Sequence, residues 1–227
     1  MTVADSEVPQ EVGQLAERVG CVGGKALSHV DLRQTGQMRQ DAASAWMGFG
    51  ACQRIELTKC SFEWKARMGP RRLIRVTDTF SNGSGRLAVS LFGLIPIGGA
   101  ANSVDLDRGE LMRYLAELAW APDAMLSNRA LHWRTFGERL FVAAGDGARR
   151  AEVQITLDQE GRIGEVFATD RPRRIGNRFV ACAWRGRFSD YRWFQNRLLP
   201  NSAEVGWLGD NDYEPVWRGR LTAWSAI

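Results

Sequence analysis

Residues Cys60 to Met68 read C-S-F-E-W-K-A-R-M. Cys60, Phe62, Trp64, Ala66 and Met68 fall on one side of an extended chain; Ser61, Glu63, Lys65 and Arg67 fall on the other. A period of two sends successive side chains to opposite faces of a strand. Strict alternation of apolar and polar residues means one buried face and one wet face, the pattern of an antiparallel sheet. Gly69-Pro70 then turns the chain. Leu73 to Phe80 places Ile74, Val76, Asp78 and Phe80 on a shared face. Asn82-Gly83 is a strong hairpin signal, and Arg86 to Ile95 returns with Leu87, Val89 and Leu91 inward.

The same pattern extends both ways. Upstream, His29 to Arg39 carries Val30, Leu32, Gly36 and Met38 on one face. Downstream, strands are expected over Arg139–Ala144, Ala151–Asp158, Ile163–Thr169, Arg178–Phe188, Tyr191–Leu198, Ala203–Leu208 and Val216–Trp224. Two segments break the period. Glu7 to Val19 reads as a short amphipathic helix with Val12, Leu15, Ala16 and Val19 on one face. Asp107 to Ala119 repeats Leu111, Leu115 and Leu118 at helical spacing, with Asp107 and Glu110 at capping-box spacing and Pro122 beyond the end.

A large antiparallel sheet with one apolar face must curl, pair or be covered. Only two helices are on offer as cover. The expected fold is therefore mainly β: a large curved antiparallel sheet or half-open barrel, with an N-terminal helix and one central helix across its concave face. The 227 residues show no linker or repeat. They read as a single domain, with residues 1–27 as helix and lead-in and 28–227 as the sheet with its helix at 107–119.

Composition narrows the function. The chain is 44% hydrophobic and 25% charged, which suits a globular protein. Its net charge of +4 is carried almost wholly by arginine, lysine appearing only at 25, 59 and 65. Acids are interleaved with the basic residues, which argues against a nucleic-acid stripe. The longest apolar stretch, Leu91 to Ala101, is broken by Gly93, Pro96, Gly98 and Gly99, and falls short of the ~20 residues of a membrane helix. With acids at the N-terminus in place of a signal peptide, the expected compartment is the cytoplasm. Cys21, Cys52, Cys60 and Cys182 lack metal-ligand spacing and are expected as reduced thiols. His29 and His132 lie far apart, and no phosphate loop, nucleophile elbow or His-containing triad is present. No cofactor and no metal are expected.

Nine tryptophans stand out. Trp64, Trp184 and Trp207 fall on apolar strand faces, and Trp120 and Trp133 flank the central helix. Buried indoles need hydrogen-bond partners, so they tend to sit beside polar groups or a cavity. The expected cavity wall comprises Phe62, Trp64, Met68, Asp78, Leu91, Leu115, Trp120 and Trp184, closed over by the Leu111, Leu115 and Leu118 stripe. Asp78 is the most informative residue: a carboxylate on an apolar face must be paired, hydrogen-bonded or protonated. As candidates for acid–base chemistry it is joined by Glu110 and by Tyr114, one turn further along the helix. Arg113 and Glu117 are expected in solvent.

The segments W-R-G-R-F-S-D-Y-R-W-F (Trp184 to Phe194), V-W-R-G-R-L (Val216 to Leu221), D-R-G-E-L-M-R-Y-L-A-E-L-A-W-A-P (Asp107 to Pro122) and G-Q-M-R (Gly36 to Arg39) resemble an uncharacterised family of bacterial conserved proteins, a domain of unknown function. The resemblance runs from about Val8 to Trp224. It supplies no catalytic residues. It points to Arg187 and Arg218, which lie inside the shared segments, as groups that bind an acidic ligand group or a buried acid. The layout also resembles LolA-like lipoprotein-carrier half-barrels, whose curved sheet and helical lid hold acyl chains.

Two functions follow as expectations. The first is binding of a small hydrophobic or lipid-like molecule in an aromatic-lined cavity. The second is a cofactor-free isomerase, cyclase or hydrolase acting on an apolar substrate. They separate on whether Asp78 faces an open cavity or is fully paired. A third, a protein-interaction module, requires an exposed apolar patch.

Overall fold

The computed structural model describes residues 8–21, 26–209 and 212–227. Helix α1 spans Gln10–Arg18. Then follow strands β1 (His29–Met38), β2 (Met47–Glu56), β3 (Phe62–Met68), β4 (Ile74–Ser81), β5 (Ser84–Leu91) and β6 (Ile95–Ala101). Helix α2 (Val104–Ala116) and the short α3 (Ala124–Ser127) come next. Strands β7 (His132–Phe136), β8 (Arg139–Ala144), β9 (Ala151–Leu157), β10 (Ile163–Ile175), β11 (Arg178–Phe194), β12 (Arg197–Leu208) and β13 (Tyr213–Ala226) complete the chain. All thirteen strands form one antiparallel sheet in the order β6-β5-β4-β3-β2-β1-β13-β12-β11-β10-β9-β8-β7. Each arm is a meander of neighbouring hairpins, and β1 pairing with β13 joins the two arms.

Helix α2 dictates the curl. It packs on β4 and β5 in one arm and on β8, β9 and β10 in the other. Strands so far apart in the sheet can meet one helix only if the sheet wraps around it. Arg174 ties the arms further, its Nη1 donating to the carbonyl of Gly99 on the edge strand β6. At one end of the resulting half-barrel, α1 and α3 act as a plug. The amide of Leu198 donates to Val19 O, Arg18 reaches Glu160 O, and the Ser127 hydroxyl reaches Leu57 O.

The mainly β, half-open architecture and both expected helices are present. β3 reproduces its alternation, with Phe62, Trp64, Ala66 and Met68 buried and the residues between them exposed. Asn82 and Gly83 both take positive φ, 51° and 74°, as the β4–β5 hairpin turn requires. Several boundaries differ from expectation. Helix α2 begins at Val104, and its N-cap is Ser103, whose hydroxyl faces the Leu106 amide. Asp107 is instead buried in the first turn, accepting from the Gly85 amide and pairing with Arg149. It staples the helix to β5, and no capping box with Glu110 forms. The two strands expected over Tyr191–Leu198 and Ala203–Leu208 are the end of the long β11 and all of β12, with the turn at Gln195 and Asn196. Strands β2, β6 and β7 were not anticipated. The inward face of β2 carries Gln53 beside Phe49, Ala51 and Ile55, and this polar residue broke the apolar pattern. β6 carries Pro96, Gly98 and Gly99, which interrupt the apolar stretch from Leu91 to Ala101; on an edge strand they blunt further pairing. Its Ile95 and Ile97, with Phe92 and Leu94 at the preceding turn, are exposed. The start of the expected N-terminal helix and the Gly20 to Gly24 stretch fall partly outside the described residues.

Candidate functional site

A cavity of about 240 Å³ lies between α2 and the concave face of the sheet. Its apolar wall includes Trp64, Trp120, Trp184, Phe188, Val205 and Trp217, and its polar wall consists of Asp78, Arg113, Glu117 and Arg171. The aromatic rings form a connected series. Trp64 meets Phe49 edge-on at 5.7 Å, Phe49 stacks on Trp217 at 5.6 Å, and Trp120 meets both Trp217 and Phe188 edge-on. Three of the buried indoles find the partners that their N–H groups call for. Trp64 donates to Gln34 Oε1 at 3.1 Å, Trp120 to Pro200 O at 2.9 Å and Trp224 to Trp120 O at 2.8 Å.

The polar wall departs from the sequence expectation. Arg113 and Glu117, expected in solvent, face the cavity. The reason is the curl: α2 is enclosed by both arms, so its non-leucine face also has sheet over it. The Leu111, Leu115 and Leu118 stripe is buried in the packed core, while Arg113, Ala116 and Glu117 present themselves to the cavity. Arg113 holds both neighbouring acids, Nη1 to Asp78 Oδ2 at 2.6 Å and Nε to Glu117 Oε1 at 2.8 Å. Its guanidinium also lies over the rings of Phe62 and Trp64, 4.7 and 5.3 Å from their centroids. Burial alone would lower the Arg113 pKa, but the carboxylates of Glu117 and Asp78 outweigh it and hold the charge firmly. Gln53 donates to the second Glu117 oxygen.

Four polar atoms of this network are buried without a hydrogen-bond partner among the described residues: Gln53 Oε1, Asp78 Oδ1, Glu110 Oε2 and Arg171 Nε. Burial raises the Asp78 pKa above the ordinary carboxylate value, only partly opposed by Arg113. Burial, reinforced by the charge of Asp78, pushes Glu110 up to about 8. Tyr114, the third acid–base candidate, is fully buried away from the cavity wall. Its hydroxyl donates to Glu56 O and accepts from Asn128 Nδ2, and burial raises its pKa.

Arg171 reaches the site through a β-bulge. Val166 pairs with Gly186 and Ala168 with Trp184, but the next pair is Arg171 with Cys182. Three steps along β10 therefore match two along β11. The extra residue shifts the phase, so an odd-numbered side chain follows Val166 and Ala168 to the inner face. There the guanidinium lies 4.6 Å from the Trp184 ring centroid and 5.8 Å from that of Trp207. The strand expected over Ile163–Thr169 stops short of Arg171.

The remaining expected site residues scatter. Trp64, Asp78, Trp120 and Trp184 come together at the cavity. Phe62, Met68 and Leu115 are buried in the adjacent core, and Leu91, the last residue of β5, is half-buried and does not line the cavity. Arg187 and Arg218 stand exposed on the outer face: Arg187 lies 3.7 Å from Glu165, and Arg218 donates to Gln37 while covering Trp46. Among the described residues no group of three or more His, Cys, Asp or Glu is placed to hold a metal ion.

Fold and site together define a half-barrel with a small, aromatic-walled and charge-lined interior. The family model of DUF6544, a family of unknown function, matches residues 3–219, so the chain belongs to that family. No curated protein matches it. Among solved structures, the chain is similar to a putative outer-membrane lipoprotein-sorting protein domain from Vibrio parahaemolyticus. There the TM-score is 0.50 at 10% identity, over 95% of this chain and 91% of that one. It is equally similar to a DUF1329 family protein from Desulfovibrio piger, with TM-score 0.50 and 7% identity over 96% and 93% of the two chains. A LolA-superfamily protein from Nitrosomonas europaea follows at TM-score 0.49, 6% identity and 94% and 92% coverage. At such identities the first two likenesses speak for the fold alone.

Proposed function

We propose that this protein binds a small hydrophobic or lipid-like molecule between α2 and the concave sheet. The carrying observation is the aromatic-walled cavity itself, which apolar ligands of matching size fill by leaving water. The likeness to a putative outer-membrane lipoprotein-sorting protein domain is in keeping with this reading. At about 240 Å³ the space lies just below the ~300–1,000 Å³ of drug-sized sites, so the guest is a single short chain or one compact ring system. The test is native mass spectrometry of the purified protein, followed by titration with 1-octanol under tryptophan fluorescence. Ala203 lines the cavity, and Ala203→Phe fills it. The parent should bind, and the filled variant, still folded, should not. Equal binding by both places the ligand elsewhere.

One observation favours a second reading. Asp78 lines the cavity with one oxygen paired and the other free of partners among the described residues, and its raised pKa suits proton transfer to a cavity-bound substrate. That reading describes a cofactor-free enzyme on an apolar substrate. It predicts that Asp78→Asn abolishes turnover of a bound compound while leaving its affinity intact.

A further inference from the structure

The cavity is apolar on one wall, yet two guanidinium groups reach into it, and they are not equivalent. Arg113 is saturated: two carboxylates accept its hydrogen bonds and two aromatic rings cover it. Arg171 has no ion pair and no hydrogen bond among the described residues, and its Nε is buried without a partner. Trp184 and Trp207 hold the guanidinium. Stacking of this kind fixes the plane of the group and leaves its N–H edge unspent. The bulge that aims Arg171 inward breaks the β10–β11 ladder, a local cost that burying an unused cation would only increase.

We infer that Arg171 is the anchor for a single negative charge on the ligand, and that the natural guest is an amphiphile with a short apolar body and a carboxylate end. The inference rests on the cavity reading above. An Arg fork matches a carboxylate with two parallel N–H···O bonds, and the Trp184 side of the cavity receives the apolar body beside it. Asp78 and Glu117 both bond Arg113, so Arg171 is the guanidinium of this cluster with no carboxylate bonded to it among the described residues. One carboxylate answers its fork, whereas a phosphate dianion would bring a second negative charge beside Asp78 and Glu117 that no further cation of the cavity wall meets.

Isothermal titration at pH 7 with octanoate, 1-octanol and octylammonium separates the possibilities, since the three share one tail. Octanoate should bind about 10- to 100-fold tighter than 1-octanol, the worth of a charge-assisted hydrogen bond, and octylammonium should be weakest. Arg171→Gln should reduce octanoate to the level of 1-octanol and leave 1-octanol unchanged; Arg171→Met serves if the glutamine variant does not fold. Equal affinity for octanoate and 1-octanol in the parent overturns the anion assignment and leaves the cavity reading standing. Tightest binding of octylammonium overturns it too, and makes the Asp78, Glu110 and Glu117 carboxylates the recognising groups. Failure of all three tails to bind removes the cavity reading and this inference with it.

Discussion

Replacing Arg113 with methionine keeps a long, flexible side chain over Phe62 and Trp64 but removes the charge between Asp78 and Glu117. Both acids are nearly buried, with side-chain exposures of 11% and 10%. Glu117 keeps its bond from Gln53. Asp78 does not fare as well: Oδ1 already lacks a partner among the described residues, so the variant leaves the whole buried carboxylate without a hydrogen bond from them. Breaking a buried pair by deleting one partner costs about 3–5 kcal/mol. For a chain of this size, that lowers Tm by about 6–20 °C. The pH dependence fixes the mechanism. Asp78 is already held above its ordinary value of 3.8 in the folded protein, and losing Arg113 raises it further. A carboxyl whose folded pKa exceeds its unfolded pKa is tolerated below the unfolded value and becomes a growing liability as pH climbs through the folded one. The deficit of Arg113→Met should therefore be largest near pH 7.5 and shrink toward pH 4. Urea unfolding followed by tryptophan fluorescence at both pH values measures it, and Asp78→Asn in the Arg113→Met background should recover much of the loss at pH 7.5. A deficit below about 1 kcal/mol, the scale of exposed pairs, or one that is flat with pH, refutes the view that this network is buried and charged.

Glu110 provides the mirror case: its folded pKa of about 8 lies above the ordinary 4.5, so the parent loses stability as pH rises between those values. Glu110→Gln should accordingly be more stable than the parent at pH 8, by a difference on the order of a few kcal/mol, and indistinguishable from it near pH 4 in the same unfolding assay. Thiol titration of the denatured protein should find four free cysteines. In the native protein Cys52, exposed on β2, should react first and Cys21, buried and pushed up to about 12, should resist longest; a stable disulfide would contradict the expected reducing compartment. Gly36 sits where β1 meets β13, and a Cβ there would lie 2.1 Å from the Arg218 carbonyl oxygen. Gly36→Ala should cost about 1–3 kcal/mol, as overpacked sites do, and a neutral result by thermal melting would show that the two arms separate more easily than their register implies.

Much of the architecture is legible in sequence because the relevant forces are local. Alternation in Cys60 to Met68, the Asn82-Gly83 turn and the leucine period after Asp107 each specify a face or a reversal within a few residues, and a long one-sided antiparallel sheet can only curl. The sequence also singles out Asp78, since a carboxylate among Ile74, Val76 and Phe80 needs an explanation wherever the sheet goes. Its partner was beyond reach. Arg113 is 35 residues away and sits on a helix face whose polarity reads as solvent-facing; only the wrap of both arms around α2 converts that face into a cavity wall. Strand β2 escaped notice for a related reason, because Gln53 points inward to serve Glu117, a need that exists only once the helix is in place. Arg171 shows the limit most clearly. Period-two reading carries it to the outer face, and one extra residue in β10, invisible until the β10–β11 pairing is drawn, turns it inward. Local pattern decides which elements form and which way they face; the pairing register and the closure of the sheet decide which charges meet, because those energies belong to contacts between residues far apart in the chain.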